Sequence, residues 1–220
     1  TLHNEDEIKR LDVRIGDTVI LQKAGDVIPE IVRILPEFRT GKEKKFVMPK
    51  KCPVCGSLIE RVAIGSQHLK SNIKNLTSSQ SAAHYCTNKK CFAQEMENLI
   101  HFASKKGMYI DGLGEKIVEQ LIVEGLVLDP ADFYELSFDD LKPLERFAEK
   151  SAANLIQAIE KSKKVALPKF LFALGIRHVG EETAELIAEH FGALAAIRAA
   201  SVDDIDAIEG VGEVMARSLY

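Results

Sequence analysis

Between Val13 and Leu35, apolar and β-branched residues fall in two short runs, Thr18–Gln22 and Val27–Leu35, on either side of Ala24-Gly25-Asp26. Short β-rich runs around a Gly-Asp turn predict a hairpin from a small sheet or barrel. Pro29, near the start of the second run, cannot donate a ladder hydrogen bond and predicts an edge or a bulge there. At most three strands are visible before Cys52, too few to close a barrel without further strands or a packing partner. From Ser66 to Ser81 the chain turns polar, with Asn72, Asn75, Thr77, Ser78, Ser79 and Gln80, which predicts an exposed loop.

The second half changes period. A four-residue phrase is written four times: Gly112-Leu113-Gly114-Glu115, Arg146-Phe147-Ala148-Glu149, His178-Val179-Gly180-Glu181 and Gly210-Val211-Gly212-Glu213. Its third residue falls at 114, 148, 180 and 212, spacings of 34, 32 and 32 residues, so one supersecondary unit is repeated. Four positions after each marker stands a small or β-branched residue, Val118, Ala152, Ala184 and Ala216, with amphipathic stretches on both sides. This pattern predicts two short helices joined by a tight hairpin, with glycine where the backbone takes a positive φ or comes close to a partner. The start of the second helix offers unpaired N–H groups and the positive end of its dipole, a combination suited to a phosphate oxygen. Gly112, Gly114, Gly180, Gly210 and Gly212 are therefore candidate anion-binding positions. The plainer reading is that such glycines are helix caps, but four copies in one phase favour the clamp.

Charge qualifies that reading. The net charge is −4. Residues 1–51 hold 11 Lys+Arg and 9 Asp+Glu, residues 52–106 hold 7 and 3, and residues 107–220 hold 11 and 21, a net −10. A hairpin clamp grips phosphate with backbone amides and works without a basic surface, although an acidic one weakens long-range attraction. Charge alone slightly favours an acidic helical bundle that binds protein or nothing. No apolar run of about 18 residues and no signal-like start occur, which predicts a cytoplasmic protein with no membrane span. Thr1 in place of Met, and Tyr220 only eight residues after Gly212, predict a chain cut from a longer protein whose fourth hairpin unit is truncated.

All four cysteines lie within 40 residues, as Cys52-Pro53-Val54-Cys55 and Cys86-Thr87-Asn88-Lys89-Lys90-Cys91. Each pair can close a turn with both sulfurs facing one ion, the pattern of a structural Zn²⁺ site; the rival, a disulfide, is rare in a reducing compartment. A closed Cys₄ site leaves no position for substrate, so its role is to fix the modules on either side. Lys50, Lys51, Lys89 and Lys90 flank the thiolates and either offset their charge and face nucleic-acid phosphates or form a solvated rim. His84 is read as a bystander. At the hairpin turn, Lys23 beside apolar Val27 and Ile28 is a set that can wedge into a minor groove while the cation meets the backbone; the rival assigns both apolar residues to a core.

Taken in order, Lys23-Ala24-Gly25-Asp26-Val27-Ile28-Pro29, Cys52-Pro53-Val54-Cys55-Gly56, Cys86 to Cys91 with Ala93-Gln94, and the four hairpin phrases resemble the bacterial NAD⁺-dependent DNA ligases. Thr1-Leu2-His3-Asn4, Ile110-Asp111-Gly112-Leu113-Gly114-Glu115-Lys116 and Ala173-Leu174-Gly175-Ile176-Arg177-His178-Val179-Gly180-Glu181 extend the likeness over essentially the whole chain. The resemblance implies a multidomain α+β chain. Residues 1–51 would be the C-terminal part of an OB-fold barrel, 52–95 a Cys₄ zinc finger with a long insert, and 96–220 an all-α domain of four helix-hairpin-helix units. It also implies a monomeric clamp on nicked duplex DNA, formed with an upstream nucleotidyltransferase domain that uses NAD⁺ and Mg²⁺. By the same resemblance Lys23, Val27 and Ile28 meet DNA near the nick, and Gly114, Gly180 and Gly212 meet backbone phosphates. Three features depart from the family pattern. No Lys-x-Asp-Gly occurs, so this chain should not ligate alone; Arg146 and Ala148 replace glycines in the second hairpin; and 30 residues separate Cys55 from Cys86. The competing functions are a non-catalytic DNA adaptor built on the same clamp and an acidic protein-binding scaffold.

Overall fold

The computed structural model describes residues 2, 4–24, 28–63, 80–145 and 147–220. Its backbone divides into two compact units, Thr1–Cys91 and Phe92–Tyr220.

The first unit opens with α1 (Glu5–Leu11), capped by Asn4, whose Oδ1 accepts from the Asp6 N–H at 3.0 Å. Acids fill its first turn and Lys9 and Arg10 its last, in keeping with the helix dipole. Among the described residues six strands follow: β1 (Arg14–Ile15), β2 (Val19–Ala24), β3 (Ile28–Ile34), β4 (Lys44–Lys45), β5 (Ile59–Ala63) and β6 (Gln80–Cys86). They pair antiparallel as β1 with β4, β2 with β3 and β5 with β6. The hairpin expected from the two β-rich runs is therefore present. Among the described residues four strands, not at most three, precede Cys52; β1 and β4 have two residues each, too few to carry an alternating pattern. Pro29 faces Lys23 in a two-stranded ribbon, as an edge position allows. The bulge lies elsewhere: Ile20 pairs with Arg33 and Leu21 with Ile31, leaving Val32 as the extra residue.

Little apolar surface is buried in this unit. Ile31 and Cys91 are its buried apolar residues among those described, while Ile15, Leu21, Ile28, Phe38 and Val47 are exposed. A polar network does part of the ordering. Arg39 reaches Asp17 with Nε and Nη2, both at 2.7 Å, and its Nη2 also donates to the Asp12 carbonyl at 2.7 Å. Asp17, its side chain 2% exposed, also accepts from the Arg14 N–H at 2.8 Å. Arg39 beside it holds the Asp17 carboxyl down to about 2. This fork joins the end of α1, the β1–β2 turn and the segment after β3.

The second unit is all helical: α2 (Phe92–Ala103), α3 (Glu115–Val123), α4 (Phe138–Leu141), α5 (Glu149–Ser162), α6 (Leu167–Ala173), α7 (Glu181–Phe191), α8 (Leu194–Ala199), α9 (Val202–Asp206) and α10 (Glu213–Leu219). The pairs α2/α3, α4/α5, α6/α7 and α9/α10 are the four hairpin units. They are not equivalent. The first helix of the second and fourth units has only four and five residues and opens with a capping box, Ser137 with Asp140 and Ser201 with Asp204. A connector precedes each, a 3₁₀ turn at Asp132–Tyr134 and α8. Two apolar cores match this pairing of units. One gathers Phe102, Leu113, Val118, Phe133, Leu141, Ala152 and Leu155; the other gathers Leu171, Val179, Ala184, Ile187, Ile205, Val211 and Ala216. The true structural repeat is thus a double unit, within which the four-residue phrase occurs twice, 34 residues apart in the first and 32 in the second. His101 Nε2, 2.8 Å from the Phe172 carbonyl, ties α2 to α6.

Candidate metal centre and nucleic-acid interface

The β5–β6 hairpin brings the two cysteine pairs together. Ile59 stands opposite Cys86, a bridge joins Lys51 to Leu58, and Thr87 N donates to Leu58 O at 3.0 Å, so both sulfur-bearing turns leave the same end of the hairpin. In the first turn Cys52 N donates to Ser57 O at 2.7 Å and Gly56 N to Cys52 O at 2.9 Å. In the second, Cys91 N donates to Asn88 O at 3.1 Å. All four Sγ atoms lie within 4.8 Å of one another, with Cys52–Cys91 at 3.9 Å and Cys55–Cys86 at 3.4 Å. Tetrahedral sulfurs around one zinc, bonded at about 2.3 Å, stand about 3.8 Å apart, so the donor set fits a metal ion.

Local dipoles favour thiolate. Backbone N–H groups of Cys55 and Val54 lower the Cys52 thiol, and the Ser57 hydroxyl and N–H draw Cys55 down to about 6. The Asn88 N–H also favours ionised Cys86, but burial and the sulfurs of Cys55 and Cys52 outweigh it and push Cys86 up to about 12. Thiols spread from about 6 to about 12 in one cluster repel as anions, and a cation at the centre relieves that repulsion. His84 stays outside the cluster, its Nε2 3.2 Å from Glu5 Oε2. Lys50, Lys51, Lys89 and Lys90 are exposed around the cysteines.

The hairpins share one geometry. The second residue of each phrase closes a turn onto the residue three before it: Leu113 to Ile110 at 3.2 Å, Phe147 to Leu144 at 3.3 Å, Val179 to Ile176 at 3.0 Å and Val211 to Ile208 at 2.9 Å. The third turn residue has φ +86 at Gly112, +68 at His178 and +87 at Gly210, while the residue before it does not, the signature of a type II turn. Arg146, the equivalent in the second unit, lies outside the described residues. Each marker then caps the following helix: Gly114 for α3, Ala148 for α5, Gly180 for α7 and Gly212 for α10, none with a side-chain capping bond. Each marker carbonyl accepts from the residue four on, namely Val118, Ala152, Ala184 and Ala216 at 2.9–3.1 Å, and all four of those are fully buried. These small residues lie under the helix start, where extra methylenes would overpack the core.

The two glycine roles separate within the phrase. The positive φ belongs to the first residue of the phrase, not to the marker: Gly114, Gly180 and Gly212 have φ −81, −85 and −94. A Cβ added at any of the three meets no atom within 4 Å, and Ala148 takes the same conformation with its methyl in place. Neither backbone strain nor internal packing accounts for glycine at these markers. All four markers are exposed.

At the β2–β3 turn, Lys23 and Ile28 are exposed, Ile28 by 61%, so the core alternative does not hold for it. Val27 lies outside the described residues, as do residues 64–79, which hold most of the expected Ser66–Ser81 loop; Gln80 and Ser81 are not loop but the start of β6, where Gln80 pairs with Ala63 of β5. Sequence reasoning missed the Asp17–Arg39 fork, whose partners are 22 residues apart, and the capping boxes, whose Ser-x-x-Asp signal was legible at 137–140 and 201–204.

Comparison with known proteins adds four matches. Residues 1–43 match the NAD-dependent DNA ligase OB-fold domain, and residues 169–220 match the helix-hairpin-helix motif, which the geometry above extends back to the first two units. A DNA ligase of Rubrobacter xylanophilus is 48% identical over 219 residues, covering all of this chain and 30% of that protein. A DNA ligase of Desulforamulus reducens is 47% identical with the same coverage. The chain thus spans about a third of the length of these relatives. Among the described residues no helix is long and apolar enough to cross a membrane. With an OB-fold match at one end, a hairpin match at the other and near-half identity along the whole length, the chain belongs to the NAD-dependent DNA ligase family.

Proposed function

We propose that this chain is the part of an NAD⁺-dependent DNA ligase that grips duplex DNA around a nick and holds it for an upstream nucleotidyltransferase domain of the same polypeptide. The observation that carries this reading is the set of glycines at Gly114, Gly180 and Gly212, which nothing inside the chain requires. A bare backbone at an exposed helix start lets a phosphate oxygen approach N–H groups that have no intrahelical acceptor. The second hairpin, with Ala148 at that position, serves packing more than contact. Gly112 and Gly210 shape the turns that present those N–H groups, and Lys23, Val27 and Ile28 form a further contact near the nick.

In this account the chain works as three modules, 1–51, 52–95 and 96–220. Zn²⁺ held by Cys52, Cys55, Cys86 and Cys91 supplies folding free energy and charge neutralisation, with no part in the chemistry. Adenylate transfer from NAD⁺ and the Mg²⁺-assisted sealing step use residues outside this chain, in which no Lys-x-Asp-Gly occurs. The chain therefore binds DNA as a monomer in the cytoplasm and does not ligate by itself. Its acidic helical unit keeps a protein-scaffold reading in play, and one titration separates the two. Fluorescence anisotropy of a nicked duplex is followed while the chain is added at several salt concentrations. Binding with a log–log salt slope of a few units, about 0.9 for each phosphate neutralised, supports the clamp; no binding at low salt refutes it.

A further inference from the structure

Basic side chains are scarce in the helical unit, yet they are not scattered. Four of the 11 Lys+Arg in residues 107–220 fall within nine positions: Lys161 at the end of α5, Lys163 and Lys164 on the link that follows, and Lys169 in α6. Three of these, Lys161, Lys164 and Lys169, line a cavity of about 390 Å³ together with Gly107, Tyr109 and Asp111, which belong to the segment leading into the first hairpin. All three lysines are exposed, and among the described residues none of them forms an ion pair, whereas Lys163 outside the cavity pairs with Glu160. Asp111 is the acidic member of the wall, so three cations face one anion.

Two further observations mark the cavity as more than a solvated rim. Tyr109 stands 52% exposed on its wall and holds a φ of +53, a conformation costly for an aromatic residue and fixed here by its N–H donating to Ser104 O at 2.9 Å. Asp111 on the wall adjoins Gly112, so the cavity opens in the same turn that presents the start of α3.

We infer that this cavity is a second phosphate site, in which Lys161, Lys164 and Lys169 receive backbone phosphates of the DNA strand that lies against the first hairpin. This rests on the duplex-binding reading above and adds to it a site that uses side-chain ammonium groups in place of helix amides. One strand of a duplex carries a charge about every 3.4 Å of helix axis, so a strand seated on α3 presents further phosphates to a cavity that shares Asp111 with the turn. Ammonium groups suit this role as mobile point charges that tolerate any sequence. The site also answers the difficulty posed by the acidic surface, since it places unpaired cations beside a hairpin in a region of net −10.

The test is the salt dependence of duplex binding by the full 220-residue chain, read by fluorescence anisotropy. The triple variant Lys161→Gln/Lys164→Gln/Lys169→Gln is expected to lower affinity tenfold or more at moderate salt and to reduce the log–log slope by about two to three units, at about 0.9 per phosphate. The matching Lys→Arg triple retains the slope. Arg198→Gln, on the exposed face of α8 and outside the cavity, changes it by less than one unit. Circular dichroism confirms that each variant stays helical. A Gln triple with the slope of the unsubstituted chain overturns the inference while leaving the duplex-binding reading intact; failure of the unsubstituted chain to bind overturns both.

Discussion

Glycine stands in two different situations within one hairpin phrase, and substitution separates them. At Gly210 the φ is +87 and an added Cβ lies 3.0 Å from Leu186 Cδ1, so Gly210→Ala strains the backbone and crowds a half-buried side chain packed against the core. A loss of about 1–3 kcal/mol is expected, measured by urea denaturation. At Gly180 the φ is negative and the added methyl meets nothing, so Gly180→Ala changes stability by less than about 1 kcal/mol. Its effect falls on DNA affinity. Asp17 offers a prediction with a defined pH window. Its folded-state carboxyl titrates at about 2, below its ordinary value of 3.8, because Arg39 favours the ionised form. A depressed carboxyl contributes stability that is fully present above its unfolded value and is lost as pH falls through its folded one. Asp17→Asn should therefore weaken the Thr1–Cys91 unit at pH 7, and the deficit relative to the unsubstituted chain should close between about pH 4 and about 2. An unchanged deficit across that range would mean that the Arg39 fork does not set the ionisation of Asp17.

Elements too short for a periodic signal are where sequence and structure part. The hairpin phrase was legible because turn closure and helix capping involve neighbouring residues. The pairing of units into two cores was not, since α4 and α9 have four and five residues and depend on tertiary packing and capping boxes. Helices of that length do not persist unaided. Ser201→Ala is expected to cost about 1 kcal/mol and Ser137→Ala a similar amount, read from thermal midpoints. The cysteine cluster was fully legible from spacing, because each pair lies within one local turn. What spacing could not show is how little else holds the β5–β6 hairpin. With Ile31 and Cys91 as the buried apolar residues described in the first unit, metal removal should unfold the Cys52–Cys91 segment. The helical unit keeps its own two cores, so chelation is expected to leave the helical circular dichroism in place while the amide signals of β5 and β6 collapse. Retention of those signals in metal-free protein would contradict the zinc assignment.

At the scale of the whole molecule, net charge and function point in opposite directions, and position resolves the conflict. The chain carries −4 overall, yet its candidate contacts are backbone N–H groups at exposed helix starts and a small set of lysines on one cavity. Binding by positioned amides depends less on long-range attraction than on close approach, and close approach is what a missing Cβ provides. The measurement that tests this most directly is duplex affinity of the chain with Gly114→Val/Gly180→Val/Gly212→Val, set against Ala148→Val alone. The account predicts a loss of at least tenfold for the glycine triple with its helical content intact, and little change for Ala148→Val. Equal affinities for the unsubstituted chain and the folded triple would contradict the clamp.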